Sequence, residues 1–75
     1  MPATSVNLMR RGRATVTRID LDGFEAARLK AMGLYEGQTI ELSRVGNPCI
    51  VRAAGSKMAL ANEIASHIMV VCDEA

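Results

Sequence analysis

Apolar and polar positions change period several times along the 75-residue chain, and each change marks an element. Ala14-Thr15-Val16-Thr17-Arg18-Ile19 is rich in β-branched residues with partial alternation, which predicts a strand. Asp20-Leu21-Asp22-Gly23 breaks it. Asp22, with Glu25 at the third position after it, matches a capping box: the first carboxylate accepts free helix N–H groups and the second reaches back. A helix from Gly23 to Met32 follows, with Gly33 placed to leave it in the left-handed conformation. Phe24, Ala27 and Ala31 share one helical stripe, with Leu29 and Met32 on its flank.

After a tight Glu36-Gly37 turn, Gln38 to Arg44 alternates cleanly, Ile40 and Leu42 pointing one way and Thr39, Glu41 and Ser43 the other. Val45-Gly46-Asn47-Pro48 punctuates, and Cys49 to Ala53 reads as the hairpin partner. Lys57 to Ala61 continues the meander, Asn62 to Ser66 suits a single helical turn, and Ile68 to Cys72 is a β-branched closing strand. The pattern thus predicts a mainly β domain of about five strands, with one short α-helix after the first strand. Closing such a short sheet into a small barrel would remove its exposed edges. Residues 1–12 read as a flexible lead, 13–72 as the single domain and 73–75 as a frayed end. A chain of this length gives one domain with an expected radius of gyration of about 11 Å.

Composition narrows the function. Phe24 and Tyr35 are the only large aromatics and Trp is absent, which leaves no stacking platform for single-stranded nucleic acid and no aromatic-lined peptide groove. No long charge-free run could span a bilayer, and the start has no secretory pattern, so the reading is a cytoplasmic chain without membrane insertion. Nine basic and eight acidic residues nearly cancel, but residues 1–19 hold four arginines and no acid. Within them Arg10, Arg11 and Arg13 form a basic cluster that could meet phosphates or an acidic partner face, or simply a solvated entry to the first strand.

The chemistry-bearing residues are sparse. His67 is the only histidine, and neither Ser-His-Asp nor Cys-His pairing has local support, so no enzyme activity is expected. Cys49, His67 and Cys72 can be drawn as three metal ligands, although their spacing matches no closed zinc motif. No cofactor follows from the residues. What remains is binding: the helix exit from Leu29 to Tyr35 places several large apolar side chains on one corner, either as a partner surface or as core closure.

Two stretches bear a resemblance. Arg28-Leu29-Lys30-Ala31-Met32-Gly33-Leu34-Tyr35-Glu36-Gly37-Gln38-Thr39-Ile40 resembles the R-L-x-x-M-G-L-x-x-G-x-x-I signature of the small ferrous iron transport protein A family. Asn47 to Ala61, with Pro48, Val51, Gly55 and Ala59-Leu60, is similar to that family's later segment, and Ala65 with Ile68 to Val71 to its closing portion. The resemblance implies an SH3-like barrel. It also implies a non-catalytic cytoplasmic accessory of bacterial ferrous iron uptake, binding the cytoplasmic region of a permease that carries a GTP-binding domain. Such a protein could lie peripherally at the inner membrane through that permease. The same domain type is appended to metal-responsive repressors, so the alternative is a metal-linked regulatory module acting through a transcriptional or other protein partner. Carried onto this chain, the partner-binding positions are Leu29, Met32, Gly33, Leu34 and Gly37, joined by Tyr35 from the corner above, with Gly55 and Leu60 structural. The family brings no agreed ligand set for iron, and self-association stays open.

Overall fold

A computed structural model describes residues 3–73. Its elements are β1 (Ala3–Ser5), a 3-10 turn (Val6–Leu8), β2 (Gly12–Ile19), α1 (Gly23–Ala31) and β3 (Thr39–Arg44), then β4 (Cys49–Ala53), β5 (Ser56–Leu60), α2 (Asn62–Ala65) and β6 (Ile68–Cys72). The six strands form one antiparallel sheet in the order β1-β6-β2-β3-β4-β5. The radius of gyration is 10.8 Å, as the length implies.

Two expectations about the sheet need correction. There are six strands, not five, because Ala3–Ser5 pairs with Met69–Val71, and Val6 and Met9 then enter the core. Structure therefore begins inside the stretch read as a lead. Nor does the sheet close into a barrel: β1 and β5 are its two edges and do not pair. Instead α2 touches both β5 and the 3-10 turn that follows β1, so a helix rather than a strand ladder lies between the edges. Covering an edge with a helix is an alternative to pairing it.

Alternation decides what faces inward. Ile40 and Leu42 of β3, Val51 and Ala53 of β4, Met58 and Leu60 of β5, and Ile68 and Val70 of β6 are all buried. The one-residue slip in β2, where the inward positions run Ala14, Val16, then Ile19, is a β-bulge: Val16 opposes Val70 but Arg18 opposes Met69. The extra residue, Thr17, donates its hydroxyl to the Met69 carbonyl at 3.3 Å. A second register shift lies between Leu42 and Arg44, and there Ser43 donates to the Ile50 carbonyl at 3.3 Å. At both bulges a short hydroxyl side chain satisfies a carbonyl of the neighbouring strand.

Helix α1 starts at Gly23 as expected and ends at Ala31, one residue short of the expected Met32, which is its C-cap; its contacts differ more. Asp22 holds the extended backbone of an N-cap residue, yet its side chain makes no capping hydrogen bond. Glu25 turns instead to Arg28 at 3.9 Å. The stripe of Phe24, Ala27 and Ala31 faces solvent, and Leu29 is the residue the helix buries. The cause is at the C-terminal end, where the exit turn ties Leu29 to the core.

Candidate functional site

The exit of α1 is a Schellman motif. Leu34 N–H donates to the Leu29 carbonyl at 2.9 Å, and Gly33 N–H to the Lys30 carbonyl at 3.0 Å. Gly33 has φ +97°, and a side chain there would run into the next hairpin. This motif joins the residues before and after the turn through a hydrophobic contact, and Leu29 and Leu34 are accordingly both core residues.

The chain then locks onto β2. Gly37 N–H donates to the Val16 carbonyl at 2.8 Å, and Val16 N–H to the Gln38 carbonyl at 2.9 Å. Glu36 Oε2 accepts from the Ile19 N–H at 3.4 Å. Between α1 and this segment lies a shallow groove of about 390 Å³. Leu34 is its floor, Ile19, Leu21, Ala26 and Tyr35 its sides, and Lys30 and Glu36 supply one charge of each sign. Tyr35 is 40% exposed and the nearby Met32 37%.

The six expected partner-binding residues therefore divide. Met32, Tyr35 and Gly37 face solvent, whereas Leu29, Gly33 and Leu34 are buried and cannot meet a partner directly. The signal that separates them was present: leucines at the two ends of a Schellman turn meet each other. Ile19, Leu21, Ala26, Lys30 and Glu36 join the groove through the fold, and no local motif marks them.

The arginine cluster is also extended by the fold. Arg10, Arg11 and Arg13 are exposed. On the outer sheet face Arg13 lies opposite Glu41, Glu41 opposite Arg52, and Arg52 opposite Lys57. A second open depression of about 390 Å³ includes Arg13, Glu41, Arg52 and Gly55.

The three drawn metal ligands do not form a site. Cys49 is buried on β4, Cys72 is half-buried on β6, and His67 is exposed, with Nδ1 2.9 Å from the Glu63 carbonyl. Among the described residues, no group of three His, Cys, Asp or Glu side chains is placed to hold a metal ion. Burial pushes the Cys49 thiol above its ordinary pKa, partly offset by hydrogen bonds to the backbone of Cys49 and Leu60. No helix among the described residues is long and apolar enough to cross a membrane.

Comparison with known proteins gives a consistent result. The FeoA domain family matches residues 6–72. The crystal structure of an iron uptake regulatory protein (FeoA) is similar at 29% identity and a TM-score of 0.80, covering 95% of this chain and 97% of that one. A FeoA protein from Chlorobium tepidum is similar at 26% identity and a TM-score of 0.84, covering 95% and 74%. T. acidophilum IdeR shares the fold over 97% of this chain and 35% of its own, at 24% identity and a TM-score of 0.82. None of the curated proteins matches by sequence.

Proposed function

The chain belongs to the FeoA domain family, and on that premise we propose that it docks, through the groove beside α1, on the cytoplasmic GTP-binding region of a ferrous iron permease. Family membership makes it a non-enzymatic accessory of bacterial ferrous iron transport. The observation that carries the docking surface is the pairing of exposed Tyr35 and Met32 with an apolar groove whose floor, Leu34, is fixed by the helix exit. Tyrosine and methionine suit such a role: both offer large apolar area, and tyrosine adds a hydrogen-bonding end.

A groove this shallow fits one apolar side chain of a partner better than a free small molecule. Lys30 and Glu36 at its rim then set orientation rather than affinity, since exposed charges are screened by salt. The protein works in the cytoplasm in this reading, on the side of the membrane where nucleotide is bound. Pull-down of the permease's soluble domain, with and without guanine nucleotide, tests it together with iron uptake in a deletion strain. Absence of capture, with uptake unchanged, overturns the proposal.

A further inference from the structure

The turn before β5 fixes which of its backbone groups face the sheet and which face away. Ala54 and Gly55 both hold positive φ, 51° and 81°, as a two-residue hairpin turn requires, and Ala53 pairs with Ser56 across them. Hydrogen-bonded and open pairs alternate from that turn. Met58 and Leu60 therefore bond to β4, whereas Lys57 and Ala59 turn their N–H and C=O groups away from it. β4 is the only strand beside β5, and among the described residues no backbone hydrogen bond from a turn, loop or cap reaches any of these four groups. Helix α2 begins at Asn62, beyond the end of β5, and Ser56, Lys57 and Ala59 are exposed.

The charge beside this edge is mostly of one sign. On the outer sheet face Lys57 lies beside Arg52, and Arg52 beside Glu41. The ion pairs among the described residues are Arg18–Asp20 and Arg28–Glu25, so neither Arg52 nor Lys57 is held by a carboxylate. Glu41 stands two strands in from the edge, roughly 10 Å away. Glu63 belongs to α2, past the Leu60 end of the strand.

We propose that the β5 edge takes an extended acidic segment of a partner protein as a further antiparallel strand. Lys57 and Ala59 offer that segment four main-chain hydrogen bonds. The residue opposite Lys57 shares its outer face, where a carboxylate meets Lys57 and Arg52. The next residue points to the other face, beside buried Met58, where an apolar side chain extends the core. The matching segment thus alternates acids with β-branched residues. A second copy of this chain is a poor occupant, because antiparallel β5–β5 pairing gathers two Lys57 side chains and their Arg52 neighbours on one face. No residue of β5 lines the groove beside α1, so the two surfaces are separate.

Fluorescence anisotropy on the full chain with the labelled, capped peptide Thr-Val-Glu-Val-Glu-Val-Thr tests the inference. It should bind at least about fivefold tighter than its lysine counterpart, Thr-Val-Lys-Val-Lys-Val-Thr. Methylating the glutamate backbone nitrogens, which face β5 in this register, should weaken binding at least about tenfold; methylating the central valine nitrogen, which faces away, should not. Ala59→Pro removes an outward N–H, which an edge strand tolerates, and should abolish binding with circular dichroism unchanged. Lys57→Glu should erase the preference for glutamate, and Tyr35→Asp should bind the peptide normally. No binding of the glutamate peptide, or equal binding of both peptides, overturns the proposal. Indifference to glutamate N-methylation also overturns it, leaving charge attraction without strand pairing. Sedimentation showing a dimer that Ala59→Pro dissolves overturns it in favour of a second copy at this edge.

Discussion

A β-carbon placed on Gly33 would lie 2.6 Å from Ala54 Cβ and 3.2 Å from the Ala53 carbonyl oxygen. The exit of α1 and the β4–β5 turn thus pack backbone against backbone. Ala54 itself has φ 51°, so both sides of the contact hold a left-handed backbone. Gly33→Ala combines that strain with a steric clash and should cost about 1–3 kcal/mol in urea unfolding. Ala54→Gly relieves its own strain and removes the nearest clashing atom. It should therefore recover part of the loss in the double variant, a coupling that a double-mutant cycle reads directly.

Leu34 is 0% exposed and joined to Leu29 through the Schellman turn. Leu34→Asp buries a charge with no partner, at a cost that exceeds the roughly 5 kcal/mol stability of a small domain. The variant should be unfolded by circular dichroism. A folded Leu34→Asp protein would show that the exit turn is not packed as described.

Burial of Cys49 gives stability a pH dependence at the alkaline side. Its thiol pKa is raised in the folded state, so the unfolded chain releases the proton at lower pH. This contribution is intact below the ordinary thiol pKa, about 8.5, and is lost as pH rises through the raised folded value. Stability measured from neutral pH upward should fall more steeply for the natural chain than for Cys49→Ala. In the native protein an alkylating reagent should reach half-buried Cys72 before Cys49.

The two bulge hydroxyls offer a gentler probe. Thr17→Val and Ser43→Ala each remove one hydrogen bond to a carbonyl on the neighbouring strand. Both sites are exposed, so water takes the vacated place and each loss should be about 0.5–1 kcal/mol. Larger losses in thermal unfolding would mean that these side chains hold the register itself.

Strand β3 was readable because its alternation is strict, Ile40 and Leu42 against Glu41 and Ser43, and β4 and β6 because short apolar, β-branched runs lie between turn residues. The first strand was not, since Ala3–Ser5 is short and held by its pairing with Met69–Val71 rather than by its own pattern. Phe24 misled in the opposite way. An aromatic in a helical stripe suggests a core position, but α1 is tethered at its far end and leaves Phe24 in solvent. For the site, the Leu-x-x-x-Gly-Leu spacing around the helix exit was visible, and Gly33 has the positive φ it implied. Which of its residues face outward depended on the Schellman hydrogen bonds. The groove's remaining members, Ile19, Leu21 and Ala26, come from β2, the following loop and α1, whose meeting is a tertiary fact.

Docking through the Tyr35 and Met32 corner is tested most directly by calorimetric titration of the permease's soluble GTP-binding domain with the natural chain and with Tyr35→Asp. Tyr35 is partly exposed, so the variant should keep its fold. The expected result is saturable binding of the natural chain, weakened at least about tenfold, or ~1.4 kcal/mol, by the substitution. No heat of binding from the natural chain, or equal affinity for both proteins, would contradict docking at this corner.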